Sequence, residues 1–263
     1  MKFEKEQFPV ELQILLIILL LSSIFLVITV LAYTFSPQIE SFHRKCVIFY
    51  AANQAATFIA LAVKSHFVEE IPGTTTLCFL FGYMPLYSSL ASMFWLNSMC
   101  IDIFFVYEGV FRTGKYYFAK FAAYSTCLPI AIVAVALISN RIDDENSIFN
   151  PNIGNRICTL NGTAPVWLFY QGPSLILLLA NLSLLFATCG NSEPTVETEL
   201  TVPQGKERRR KYLILTLLEG YSFVQISSQY FFDIDYSIVF IGICLDVSRG
   251  ICVFLLLVCA DMC

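Results

Sequence analysis

Formal charge is scarce in this sequence, and histidine is nearly absent. Asp, Glu, Lys and Arg together make up 14% of the 263 residues, whereas a soluble domain carries roughly 25%. So few charges cannot supply the polar surface that a water-soluble globule of this length needs. The net charge of −4 argues against a nucleic-acid partner. The two histidines, His43 and His66, are too few for histidine-rich metal chemistry.

The residues that would mark an intramembrane enzyme or a carrier are also missing. The last apolar segment has no lysine that could form a Schiff base with retinal. A metallohydrolase would need several His or Asp ligands, which this sequence does not offer. The chain shows no repeated halves of the kind found in many transporters. We therefore expect no enzymatic activity, no cofactor and no bound metal.

Apolar residues, by contrast, make up 57% of the chain and fall into long runs. A helix needs ~20 mostly apolar residues to cross the hydrocarbon core of a bilayer. Seven runs meet or approach this requirement, at 12–35, 46–64, 77–107, 121–140, 164–189, 212–232 and 236–260. The sixth is the least apolar, because it contains Glu219, Gln225 and Gln229. We predict an all-α membrane protein in the lipid bilayer, with one seven-helix transmembrane domain over residues 1–263 and no extracellular ectodomain.

The distribution of basic residues predicts the orientation of this bundle. With the N-terminus outside, most of the Lys and Arg residues lie in the inner loops, as the positive-inside rule requires. The same orientation places the sequon that begins at Asn161 outside, where glycosylation takes place. We therefore predict a multi-pass plasma-membrane protein with an external N-terminus, a cytoplasmic C-terminus and a glycosylation site at Asn161.

Two of the ten cysteines, Cys78 and Cys158, are predicted to lie in the outer compartment or at its border. Disulfides form in that compartment and rarely in the cytosol. These two cysteines are therefore natural partners for a bond that ties the outer end of the third helix to the loop before the fifth. The alternative is a pair of unrelated free thiols.

Charged and amide side chains interrupt the apolar helices at a few positions. The predicted intramembrane polar network consists of Asn97, Asp102, Glu219, Asp246 and Arg249. A charge left at the bilayer centre costs about 2.5–3.5 kcal/mol on insertion scales, so we expect pairing inside the bundle. Asp246 and Arg249 are three residues apart and could pair on one helix face. Asn97 and Asp102 could reach the sixth and seventh helices. The network could simply hold the helices together, or it could be a switch that rearranges when helices move.

Basic residues are concentrated in the inner loops before the fourth and sixth helices. The members that could contact a cytosolic transducer are Arg112, Lys115, Arg208, Arg209, Arg210 and Lys211. A docking surface for such a partner is one interpretation. The other interpretation is that these residues set the membrane topology and attract anionic lipid. This alone would explain why basic residues are concentrated there.

Short motifs along the chain resemble one receptor family. Phe94-Trp95-Leu96-Asn97, followed by Cys100 and Asp102, is similar to the third helix of the Methuselah-like receptors. These are insect members of the secretin-like (class B) group of G-protein-coupled receptors. His43-Arg44-Lys45-Cys46 resembles the family's first inner loop, and Tyr170-Gln171-Gly172-Pro173 resembles its fifth helix. The Asp-Arg-Tyr and Asn-Pro-x-x-Tyr motifs of rhodopsin-like receptors are absent.

The resemblance implies a receptor that couples an unknown extracellular ligand to a heterotrimeric G protein, alone or in a receptor homo- or hetero-oligomer. Two positions in the sixth helix depart from the family pattern, since Phe223 stands where Trp is expected and Glu219 replaces an apolar residue. One alternative is therefore a truncated or divergent, non-signalling membrane protein that acts as an oligomerisation partner of receptors. Another is a transporter or channel that uses Asp102 and Asp246.

Overall fold

The computed structural model describes residues 10–36, 39, 41–67, 76–109, 116–142, 147, 149–154, 158–160, 162–189, 202–231 and 236–259. Over these ranges the chain forms seven long helices, which confirms the predicted all-α class. They are α1 (Val10–Phe35), α2 (Ser41–Phe67), α3 (Thr76–Tyr107), α4 (Tyr117–Ile142), α5 (Thr163–Ala187), α6 (Val202–Phe231) and α7, which consists of Tyr236–Val247, Arg249–Phe254 and Leu255–Cys259.

Helix α6 differs most from the sequence prediction. It begins at Val202 rather than near residue 212, so the basic segment is helical. Lys, Arg and Glu are good helix formers, and Pro203 is tolerated because the first turn needs no backbone N–H donors. In the described part of the chain, the other six helices are long and apolar enough to cross a membrane. Helix α6 is not among them, since its first third is basic and the rest is interrupted by Glu219, Gln225 and Gln229.

Helix α3 lies at the centre of the bundle and α4 at its edge. In the most apolar stretch of α3, 83% of the residues are buried, against 17% for α4. The side chains of Trp95 and Met99 on α3 are fully buried, whereas α4 exposes Ile130 and Val135. Because the exposed face of α4 is apolar, it is suited to contact lipid. The central position of α3 brings its polar residues within reach of several other helices.

Helix α5 contains a π-helical turn, Trp167–Gln171, between two α-helical parts. Pro173 lies at the start of the second part, and proline has no backbone N–H to donate. The N–H of Gly172 donates to the carbonyl of Trp167, five residues back, as a π turn requires. A Cβ atom at Gly172 would lie 2.8 Å from that carbonyl oxygen. Glycine is therefore the residue that fits this turn.

A loop segment covers the end of the bundle at which α3 begins and α4 ends. A disulfide joins Cys78, in the first turn of α3, to Cys158, which confirms the predicted pair. The amide of Asn140 at the end of α4 accepts from the backbone N–H of Ile153 and donates to its carbonyl, both at 2.9 Å. Ile153 is buried, and a Cβ atom at Gly82 would lie 2.6 Å from its Cγ2. These contacts fix the loop over the bundle.

Candidate functional site

A buried ion pair connects α6 and α7 in the middle of the bundle. Arg249 Nη1 donates to Glu219 Oε2 at 2.5 Å, and the two residues are only 7% and 4% exposed. Glu219 lies on the face of α6 that meets the other helices. Arg249 opens the second part of α7, directly after a turn at Ser248. Neither charge is left unpaired, which the cost of burying a single charge makes necessary.

Helix α2 completes this ion pair with two neutral side chains. Gln54 Nε2 donates to Glu219 Oε1 at 2.6 Å, and its Oε1 accepts from Arg249 Nη2 at 3.0 Å. The hydroxyl of Tyr50 donates to the same Glu219 oxygen at 3.2 Å. The guanidinium carbon of Arg249 lies 5.7 Å from the ring centre of Phe58, within range of a cation–π contact. One glutamine thus bridges the two charges from a third helix.

Ser222 links the ion pair to Asp246. Its Oγ accepts from Arg249 Nη1 at 2.8 Å, and its hydroxyl donates to Asp246 Oδ1. The predicted pairing of Asp246 with Arg249 is therefore wrong, because the arginine points across to α6 and one serine hydroxyl lies between the two groups. We call Tyr50, Gln54, Glu219, Ser222, Asp246 and Arg249 the charged cluster.

A second polar group joins α3, α4 and α5 without any formal charge. Asn97 Nδ2 donates to Asn181 Oδ1 at 2.7 Å, and Asn97 Oδ1 accepts from the Tyr124 hydroxyl at 2.8 Å. Nearby, the hydroxyls of Ser98 and Ser125 are 2.8 Å apart. We call these five residues the neutral cluster. The expectation that Asn97 would reach the sixth and seventh helices is wrong, because its contacts are with α4 and α5.

Asp102 lies one turn further along α3, apart from the charged cluster. Its Oδ1 accepts from the hydroxyl of Tyr117 at the start of α4, at 2.9 Å. At the same end of the bundle, His43 Nδ1 and the Tyr212 hydroxyl are 2.6 Å apart and join α2 to α6. By the contacts given above for the described residues, the five predicted network residues fall into three sets. Three of them, Glu219, Asp246 and Arg249, belong to one set.

Only some of the basic residues at the start of α6 are exposed on the surface. Arg209 Nη1 donates to the carbonyl of Thr188 at the end of α5, at 2.8 Å. Lys211 is 3% exposed and pairs with Glu207 at 2.8 Å, so it does not face outward as predicted. Arg208 is half-buried, and Arg210 is exposed. The predicted positions Arg112, Lys115 and Asn161 lie outside the described residues.

Several residues of the site were not identified from the sequence as members of it. Tyr50, Tyr124 and Ser222 are ordinary residues of apolar helices, and no pattern marks them. Gln54 and Asn181 carry a signal, since an amide within an apolar run needs a partner in the bundle. The sequence does not indicate which side chain each of these amides meets.

Comparison with known proteins identifies the family. Residues 10–234 match the model of the seven-transmembrane receptor (secretin family). The chain is similar to "Probable G-protein coupled receptor Mth-like 11" of Drosophila melanogaster, with 26% identity over 181 residues that cover 64% of this chain and 32% of the relative. It is also similar to "G-protein coupled receptor Mth" of Drosophila yakuba and of Drosophila melanogaster, at 20% and 21% identity, covering 92% of this chain and 50% of each relative.

These similarities agree with the resemblance to Methuselah-like receptors and with a multi-pass protein of the plasma membrane. The chain spans at most half the length of these three relatives. The match to the family model covers most of the chain, including α1 to α6. The chain belongs to the secretin family of seven-transmembrane receptors.

Proposed function

We propose that the chain passes an extracellular signal to a heterotrimeric G protein through a displacement of α6. The observation that carries this proposal is the charged cluster, which ties the middle of α6 to α2 and α7 through the Glu219–Arg249 pair. Because these charges must stay paired in a medium of low dielectric, the helices have few alternative arrangements. A signal that stabilises another arrangement of α6 would shift the population between discrete states.

The proposed orientation has the N-terminus outside and the C-terminus in the cytoplasm. The Cys78–Cys158 disulfide supports an oxidising environment at the start of α3. Tyr107, at the other end of α3, lies beneath Arg209 in the basic part of α6. Basic residues at the end opposite to the disulfide agree with the positive-inside rule. An extracellular ligand would then act at the disulfide end.

Contacts of α7 with α1 favour α6 as the helix that moves. Ser22 Oγ donates to the carbonyl of Val247 at 2.6 Å, and the Tyr33 hydroxyl donates to the carbonyl of Leu257 at 3.2 Å. A Cβ atom at Gly250 would lie 2.7 Å from the Ser22 carbonyl oxygen, so α1 and α7 are packed closely. Helix α7 is thus held against α1, and α6 can change its position relative to that pair.

The cytoplasmic surface of the proposed receptor would include the exposed basic residues of the inner loops and of α6. Arg210 is exposed and Arg208 is half-exposed, while Arg112 and Lys115 were predicted for the same surface. A cluster of positive charge speeds encounter with an acidic partner and fixes its orientation. We therefore assign Arg208 and Arg210 to contact with the G protein.

Guanine-nucleotide exchange tests this proposal directly. The chain would be reconstituted in lipid nanodiscs, its insertion checked by the intact disulfide, and its basal exchange activity measured with a panel of purified G-protein heterotrimers. We expect basal exchange with at least one heterotrimer, and its loss in the double variant Arg208→Gln/Arg210→Gln. Arg141→Gln is the matched control. It removes an exposed charge in the last turn of α4, at the disulfide end of the bundle, and nucleotide exchange should stay at the wild-type level. No exchange with any heterotrimer would reject the proposal.

A further inference from the structure

We infer that Arg209 holds the cytoplasmic face shut and is an autoinhibitory contact of the receptor. Its guanidinium joins three helices: it lies on α6, donates to the carbonyl of Thr188 at the end of α5, and lies over the ring of Tyr107 at the end of α3. The inference rests on the proposed function, because it concerns the displacement of α6 that G-protein coupling requires. We call Arg209, Thr188 and Tyr107 the inner latch.

The contact with α5 has a clear physical basis. The last four carbonyls of a helix have no partner within the helix, and the negative end of the helix dipole attracts a cation there. Thr188 is the residue at which α5 ends, and it is fully buried. The N–H of Arg209 at 2.8 Å therefore satisfies a carbonyl that water does not reach. Movement of α6 away from α5 would leave that carbonyl without this donor.

The contact with α3 adds a second attachment. The guanidinium carbon of Arg209 lies 5.7 Å from the ring centre of Tyr107, within the range of a cation–π interaction. Tyr107 is fully buried, although it is the last residue of α3. Arg209 is half-buried and forms part of the cover over this ring. The same displacement of α6 would break both contacts at once.

The neighbouring arginine provides a matched comparison. Arg210 follows Arg209 on the same turn of α6 and has the same charge, but it is exposed. Nonspecific effects of charge near the membrane should be similar for the two positions. Effects of closing the inner face should appear at Arg209 alone. Lysine at position 209 would keep the charge near the end of α5, but it lacks the planar guanidinium that both donates and stacks.

Hydrogen–deuterium exchange tests the inner latch independently of signalling. The full chain in nanodiscs would be compared with Arg209→Ala, Arg209→Lys and Arg210→Ala, with exchange followed in residues 184–189 and 204–212. We expect faster exchange in both segments for Arg209→Ala, an intermediate effect for Arg209→Lys, and wild-type exchange for Arg210→Ala. Equal exchange in the Arg209→Ala and Arg210→Ala variants would overturn the inference, whatever the signalling activity.

Basal nucleotide exchange then tests the autoinhibitory role. We expect Arg209→Ala to raise it about 5-fold, since the variant loses one charge-assisted cap and one cation–π contact. Arg209→Lys should raise it less. If the wild type activates a G protein and Arg209→Ala opens the helix ends without raising basal activity, Arg209 is structural and the inference fails. If neither protein activates a G protein although the helix ends open, the proposed coupling fails and the contact itself stands.

Discussion

The charged cluster and the neutral cluster each join three helices through buried or partly buried polar side chains, but they differ in formal charge. Around α2, α6 and α7 the central bond is the Glu219–Arg249 ion pair. Around α3, α4 and α5 it is the amide pair of Asn97 and Asn181. A neutral amide that loses its partner costs far less than an uncompensated buried charge. The neutral cluster can therefore tolerate small adjustments, whereas the charged cluster confines its helices to arrangements that keep the pair.

This difference separates a fixed part of the bundle from a part suited to switching. Helix α3, with its neutral contacts to α4 and α5, is buried along most of its length. Helix α6 carries the acidic partner of the charged cluster in its middle and the inner latch near its start. A helix held at two defined points by polar contacts has two places where an external event can release it.

The largest effect is expected when one member of the ion pair is removed alone. Glu219→Leu leaves Arg249 buried without its carboxylate, and it should lower the free energy of unfolding by about 3–5 kcal/mol. Unfolding of the reconstituted chain in mixed detergent micelles, followed by circular dichroism, gives this value.

The matched variant removes both charges. Glu219→Leu/Arg249→Met should recover most of the lost stability, because no uncompensated charge remains in the bundle. If the loss of stability in the double variant equals the sum of the losses in Glu219→Leu and Arg249→Met, the charges do not interact in the folded state, and the distinction between the two clusters fails.

A smaller effect is expected at Ser222, the serine that connects Arg249 with Asp246. Ser222→Ala removes an acceptor for the guanidinium and a donor to the Asp246 carboxylate, but it leaves the Glu219–Arg249 pair intact. We expect a loss of about 1–3 kcal/mol in the free energy of unfolding. Ser228→Ala is the control on the same helix, because Ser228 donates to a backbone carbonyl of its own helix. Equal losses for the two variants would show that Ser222 is not a functional part of the charged cluster.

The apolar pattern predicts the helices well because hydrophobic runs of bilayer length have few other solutions. The departure at α6 arises where the sequence is polar. From composition, residues 202–211 read as a charged loop, but helix propensity and the Glu207–Lys211 pair continue the helix through them. Apolar helices are therefore easier to predict from the sequence than helical segments rich in charge.

Partner choice within the site could not be predicted in the same way. An isolated charge in an apolar helix indicates that a partner exists, and Glu219, Asp246 and Arg249 do lie together in one set of contacts, with Asp246 only partly buried. The spacing of Asp246 and Arg249 suggested a local pair. The partner of Arg249 instead comes from α6, 30 positions away, and Gln54 is 195 positions away. Such pairs depend on the rotation of each helix about its axis, which one sequence does not reveal.

The smallest effect is expected in the neutral cluster, where Asn97→Leu and Asn181→Leu form a double-mutant cycle. The coupling energy should be about 0.6 kcal/mol and at most about 1.7 kcal/mol, as for other hydrogen bonds between transmembrane helices. The double variant should keep the basal nucleotide exchange of the wild type, because α3 and α5 stay packed through Leu177 and Met93. Ser222→Ala, in contrast, should change basal exchange, since it alters contacts of α6 with α7. If the Asn97→Leu/Asn181→Leu variant changed basal nucleotide exchange as much as Ser222→Ala does, both clusters would take part in switching.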